Sequence, residues 1–265
     1  MRKVLTIAGS DCSGGAGIQA DLKTMLANGC YGMSVITSLT AQNTTGVRAI
    51  SNTEPEFLKA QIDSVFEDIC PDAVKTGMIP SKELVEVIAE RLRFYGVKNL
   101  VTDPVMVATS GADLTTSESV KALKEKLLPL CTLVTPNIPE AEVLTGMKIH
   151  TNDDMIAAAK KINQECGAAV LIKGGHSESD CDDVLLADGE VKIFEMKKID
   201  NPNTHGTGCT LSSAIACNLA KGMTISDAVQ RAKDYITGAI SAGLDLGNGK
   251  GPLDHGYDIK TDYKN

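Results

Sequence analysis

The sequence predicts an α/β chain built on a central, mostly parallel sheet with helices on both faces. Three observations carry this. Short apolar runs alternate with longer amphipathic ones along nearly the whole length. The short runs are apolar throughout rather than at every second residue, as strands buried on both faces are. No linker, low-complexity tract or internal repeat interrupts the alternation, so the 265 residues read as a single domain spanning 1–265.

Each element has its own signal. Residues 4–8 form a short apolar strand, and residues 18–27 carry apolar side chains at 18, 22, 25 and 26, one face of a helix. A second strand covers 34–40, and a second helix covers 54–66, opened by Thr53 and Pro55. The alternation continues with strand 73–75, helix 81–94, strand 100–102, helix 117–127 and strand 133–135. A helix over 153–164 leads to strand 168–172. Residues 183–194, broken by Asp188-Gly189, read as a hairpin. Helices over 210–220 and 225–244 follow, and the tail from Gly247 is Gly-rich and polar.

Composition excludes several classes. With 34 acidic and 26 basic side chains, the net charge of −8 argues against nucleic-acid binding, which needs a basic stripe. Five Tyr, four Phe and no Trp are too few for a base-stacking surface. No apolar run approaches the ~18 residues needed to span a bilayer, so no membrane partner is expected. The eight cysteines contain no C-x-x-C and no zinc-ligand spacing, and read as reduced thiols in a cytoplasmic protein. An acidic chain can still hold a small anion if the site carries its own positive field.

Open parallel sheets bind ligands beyond the carboxyl ends of their strands, which draws attention to the residues there. Gly15-Ala16-Gly17-Ile18-Gln19-Ala20 fits G-x-G-x-x-A. The preceding loop is too long for a dinucleotide fingerprint, and no acidic residue lies between Asp21 and Glu54 to bind a ribose. A turn with close helix packing is the plainer reading. A phosphate loop ending in Lys-Ser/Thr is absent.

The second glycine loop, Asn203-Thr204-His205-Gly206-Thr207-Gly208-Cys209, opens a helix. Gly206 and Gly208 let backbone N–H groups converge at a helix N-terminus, a natural anion site. The same field should favour a thiolate at Cys209, unless Cys209 is simply a small buried residue. Asp103, held by Pro104, aims a carboxylate out of the sheet end. Asn137 and Glu140 are three apart at a helix start, which suits either Mg²⁺ ligation or a capping pair. Lys173 ends a strand before two glycines, as a phosphate contact or an ordinary solvated lysine. His150, His176 and His255 read as surface or hydrogen-bonded residues, and His205 as a residue that shapes its loop.

Several stretches together resemble the hydroxymethylpyrimidine and phosphomethylpyrimidine kinases of thiamine biosynthesis, within the ribokinase-like superfamily. They are Thr6 to Asp11, Ser13 to Thr24, Lys75-Thr76-Gly77-Met78, Asp103-Pro104-Val105-Met106, Thr135 to Ala141, Lys173-Gly174-Gly175-His176, Asn203 to Thr210 and Gly251-Pro252-Leu253. The likeness spans essentially the whole chain. It implies a three-layer α/β/α sandwich with no large lid, ATP, Mg²⁺ and a small pyrimidine as partners, and a homodimer. It implies ATP-dependent phosphorylation of 4-amino-5-hydroxymethyl-2-methylpyrimidine and then of its monophosphate. Gly206, Thr207 and Gly208 would form the anion hole, with Cys209 as the base. Lys173 and Asn137 would meet the phosphates, and Asp103 and Glu140 the metal. Gln42 would hold the aminopyrimidine, since an amide offers both a donor and an acceptor. Met78 and Val105 would wall a flat ring or simply pack in the core. A pyridoxal kinase, and a non-catalytic binding protein on the same scaffold, are the alternatives.

Overall fold

The apolar runs become a nine-stranded sheet in a computed structural model that describes residues 1–106, 116–175, 182–195 and 199–260. The strands are β1 (Arg2–Asp11), β2 (Cys30–Asn43), β3 (Gly46–Asn52), β4 (Ala73–Thr76), β5 (Leu100–Thr102), β6 (Leu133–Val134), β7 (Ala169–Ile172), β8 (Asp183–Ala187) and β9 (Glu190–Phe194). Their order is β3-β2-β1-β4-β5-β6-β7-β8-β9. The six strands from β2 to β7 pair in parallel, and β3, β8 and β9 are added antiparallel at the two sides.

Alternating side chains on the strands feed two cores, as the pleat requires. Leu5 and Ile7 join the helices α2 (Pro55–Asp68), α3 (Lys82–Phe94), α4 (Ser117–Ala122), α5 (Ile138–Thr145) and α6 (Asn152–Cys166) on one face. Val4 joins α1 (Gly17–Ala27), α7 (Thr207–Ala220) and α8 (Ile225–Ser241) on the other. The result is the expected three-layer α/β/α arrangement.

Three differences from expectation have local causes. The strand read as 34–40 runs from Cys30 to Asn43 and turns at Thr44-Thr45 into β3, which was not expected. β3 is mostly exposed and so lacks an apolar run to mark it. The helix over 117–127 is α only to Ala122 and continues as a π-helical turn over Leu123–Leu127. Helix α8 stops at Ser241, before Gly243 adopts a left-handed φ of 70°. His176 lies outside the described residues.

The polar tail is tied down. Pro252 bridges to His205, the Gly251 N–H donates to Asn203 Oδ1 at 2.8 Å, and Leu253 is buried. The tail therefore braces the second glycine loop.

Candidate active site

Strand order reverses between β1 and β4, and crevices form outside the carboxyl ends at such a switch point. Asp11, Gln42, Met78, Asp103, Asn137 and Lys173 all stand at or just past strand ends there. Helix α7 packs over β1, β4 and β5, which brings its N-terminus to the same place.

Lys173 is not a solvated lysine. Its ammonium donates to Asp103 Oδ1 at 2.6 Å, and Thr135 Oγ1 donates to the same oxygen at 3.2 Å. Burial works to lower the Lys173 pKa, but Asp103 and Glu140 hold it above the ordinary value. Asn137 and Glu140 form a capping box on α5: the Glu140 N–H donates to Asn137 Oδ1 and the Asn137 N–H to Glu140 Oε2, both at 2.8 Å. The capping reading is therefore correct, and it also aims Glu140 inward. Burial, with Asp103 nearby, pushes the Glu140 carboxyl up to about 7 despite the Lys173 charge.

Helix α7 opens at Gly206 with φ 83° and no capping side chain. A side chain at Gly206 would run into the Gly15 carbonyl as well as strain the backbone. A Cβ at Gly208 would lie 3.2 Å from both Asp103 Oδ2 and Lys173 Nζ, so the glycine keeps open the space between the helix end and that ion pair. Thr207 turns its hydroxyl inward on its own loop, donating to Thr204 O at 2.8 Å. Its N–H also reaches Thr204 O, at 3.3 Å. Gly208 and Cys209 then supply the first-turn amides that an uncapped helix leaves for a ligand.

The expectation of a thiolate at Cys209 is not met. Burial pushes the thiol up to about 11; Lys75 opposes this, and Asp21 and Asp103 add to it. The helix end does not outweigh two carboxylates and desolvation, so Cys209 carries its proton at neutral pH.

Asp21 and Lys75 were not singled out from the sequence, yet they form a fully buried pair beneath the crevice. Lys75 Nζ donates to the two Asp21 oxygens at 3.0 and 2.9 Å, and Asp21 also accepts from Thr6 Oγ1 at 2.6 Å and Ser213 Oγ at 2.7 Å. The available signal was a lysine inside an otherwise apolar strand.

The residues around Gln42 are assembled differently. Asp11 accepts from Ser13 N and Oγ, Gly15 N, Ala16 N and His205 Nε2, the last at 2.8 Å. Burial works to raise its pKa, but these donors, His205 and Ser13 foremost, bring it down to about 2. The Gln42 amide lies between His205 Nε2 and Thr40 Oγ1, at 3.3 and 3.2 Å. Met78 is buried and accepts at its carbonyl from Thr37 Oγ1 at 2.7 Å. Val105 is half-buried and lines a small cavity with Gly77, Pro104 and Met106.

Among the described residues no three metal-binding side chains cluster. The carboxylate oxygens of Asp103 and Glu140 are hard donors that suit a divalent cation completed mainly by phosphate and water.

The family model described as phosphomethylpyrimidine kinase matches residues 11–254. The chain belongs to this family. A thiamine biosynthesis bifunctional protein, ThiED, of Geobacter sulfurreducens is 51% identical over 95% of the chain, which spans only 52% of that protein. A hydroxymethylpyrimidine/phosphomethylpyrimidine kinase of Streptomyces coelicolor is 48% identical, covering 96% of this chain and 94% of the relative. A crystal structure of an ADP complex of Bacillus subtilis pyridoxal kinase superposes with a TM-score of 0.89 at 41% identity, covering 97% and 98% of the two chains. The family's parallel sheet and helical layers are those described above, and no helix among the described residues is long and apolar enough to cross a membrane.

Proposed function

We propose that this kinase transfers the γ-phosphoryl group of ATP to the hydroxymethyl group of 4-amino-5-hydroxymethyl-2-methylpyrimidine, and then a second phosphoryl group to the monophosphate. One observation carries the reading: the uncapped N-terminus of α7 opens, through side-chain-free Gly208, onto the Asp103–Lys173 pair. Phosphoryl transfer needs alignment and charge neutralisation more than covalent chemistry. Amides of Gly208 and Cys209, with the α7 dipole, would hold the transferring group. Gly206 shapes that turn, and Thr207 contributes through its loop rather than its hydroxyl. Lys173 would shift from Asp103 to the phosphates.

A bound Mg²⁺ would supply charge neutralisation to the phosphates. Asp103 and Glu140 are the residues to hold it, with Asn137 fixing Glu140. Cys209 stands at the helix end to take the proton of the accepting hydroxyl. Its raised pKa makes it a poor resting base: the thiol must first release its proton to solvent, a cost that cationic groups gathered around the phosphates would lower, before the thiolate can take the proton of the hydroxyl. Gln42 would pair with the aminopyrimidine edge, and Met78 and Val105 would flank the ring.

Following mono- and diphosphate products from pure enzyme, Mg-ATP and the pyrimidine tests this directly. Formation of both supports the reading, and absence of turnover ends it. In Cys209→Ala the first transfer should fall much more than the second, whose acceptor is already an anion; equal losses would refute Cys209 as the base. A pyridoxal kinase is the second reading, favoured by the 41% identity to the Bacillus subtilis enzyme. Comparing kcat/KM for pyridoxal and the pyrimidine, with Gln42→Met as a control, separates the two.

A further inference from the structure

The Gln42 amide has two possible orientations, which exchange O and N without changing shape, so hydrogen bonding decides between them. Consider Nε2 facing His205 Nε2 at 3.3 Å and Oε1 facing Thr40 Oγ1 at 3.2 Å. This orientation fails at both ends. Asp11 is an ionised carboxylate that only accepts, and its Oδ2 lies 2.8 Å from His205 Nε2. That nitrogen must therefore carry a proton, in the neutral ring or the cation alike. Two donors would then face each other across 3.3 Å. At the other end, Thr40 Oγ1 has one hydrogen and donates it to the Ser10 carbonyl at 2.9 Å. Toward Gln42 it can only accept, so two acceptors would face each other.

Turning the amide resolves both conflicts. Its oxygen then accepts from His205 Nε2–H, shared with Asp11, and its NH₂ donates to Thr40 Oγ1. We propose that His205 is a positioning residue: held by Asp11, it fixes the Gln42 amide with oxygen on the His205 side and nitrogen on the Thr40 side, and so sets the donor–acceptor order a substrate must match. The ring is itself fixed. It is buried, and a side chain at Gly15 would run into its Cδ2 atom.

The consequence for recognition rests on the reading of Gln42 as the pyrimidine contact. The anchored amide keeps one lone pair on oxygen and one hydrogen on nitrogen. The oxygen takes an exocyclic amine, and the N–H serves the adjacent ring nitrogen. On the proposed substrate the order around the ring is ring nitrogen, amine, hydroxymethyl. Placing the amine on the His205 side therefore directs the hydroxymethyl toward the loop that continues from His205 to Cys209. The opposite amide orientation would turn it toward Thr40 and away from the helix end.

The discriminating probe is the analogue with the 4-amino group replaced by 4-oxo. Its lactam form presents a carbonyl acceptor beside a ring N–H donor, the reverse order. In the wild type the ratio of kcat/KM for the amino over the oxo compound should be large. In His205→Leu the amide can turn, and the ratio should fall about tenfold or more, the scale set by mispaired buried polar groups. His205→Gln keeps a donor that reaches both Asp11 and Gln42, and should retain most of the ratio. A folded His205→Leu with an unchanged ratio overturns the proposal. Should that variant not fold, Thr40→Val removes the other anchor and should lower the ratio in the same way; an unchanged ratio there overturns it equally. ¹H–¹⁵N NMR of the ligand-free protein gives a readout independent of turnover. A proton on His205 Nε2 supports the proposal, and an unprotonated Nε2 overturns it. If the wild type turns over neither pyrimidine, the functional reading fails while the NMR result still decides the amide orientation.

Discussion

Replacing Lys75 with Met removes the cation from a carboxylate that has no access to water. Lys75 and Asp21 are both 0% exposed, and Lys75 is the largest fully buried side chain described. Burial alone would lower the Lys75 pKa, but Asp21, aided by Asp103, holds it above the ordinary value. In Lys75→Met, Asp21 keeps only the two hydroxyl donors Thr6 and Ser213. Breaking a buried pair from one side costs about 3–5 kcal/mol. At about 2–4 °C per kcal/mol for a chain of this size, Tm should drop by about 6–20 °C. Adding Asp21→Asn removes the stranded charge; one hydroxyl keeps the amide oxygen as acceptor and the other turns to accept from the amide NH₂, so the double variant should recover at least about 1.5 kcal/mol relative to the sum of the single ones. Urea unfolding of the four proteins at pH 7 measures this. A Lys75→Met loss below about 1 kcal/mol, or additive single effects, would refute the account of the pair as charge-coupled.

Three further outcomes follow from the site. Gly208→Ala should change stability by no more than about 1 kcal/mol, since the helix preference of alanine over glycine offsets its tight approach to the Asp103–Lys173 pair, while kcat/KM for ATP falls at least about tenfold; melting curves and steady-state kinetics read the two effects separately. Asp11, with its folded pKa at about 2 against 3.8 ordinarily, contributes stability that is present above pH 4 and lost as pH falls through 2. Linkage puts this at about 2 kcal/mol, so the stability gap between wild type and Asp11→Asn should narrow from pH 6 to pH 2.5 in urea titrations. Cys209, with its pKa at about 11, should be alkylated by iodoacetamide at pH 7.5 far more slowly than exposed Cys12 and Cys70; mass spectrometry showing Cys209 modified first would contradict the protonated thiol.

Much of the fold was legible because it rests on local patterns. Apolar runs at 4–8, 73–75, 100–102 and 168–172 mark strands buried on both faces, and each becomes a strand of the sheet. β3 was not legible, since its residues are largely exposed and its pairing comes from β2 across a turn. At the site, the spacing of Asn137 and Glu140 announced the capping box, and the glycines at 206 and 208 announced an open helix end. The ionisation of Cys209 is not legible in the sequence, because a helix end is a local feature while Asp21 and Asp103 arrive from distant segments.

The sequence by itself determined the alternation of elements, the three-layer class and which strand ends carry polar side chains, since each follows from periodicity and local backbone preference. Only the tertiary structure decided how those side chains combine. Thr6 and Lys75 meet at Asp21 because β1 and β4 pair in a register that sets them side by side under α1. His205 reaches Asp11 across 194 residues because α7, which it precedes, packs over β1. Hydrogen bonding and charge coupling act over a few ångströms in space, and no local pattern in the chain records which distant groups the packing will bring within that range.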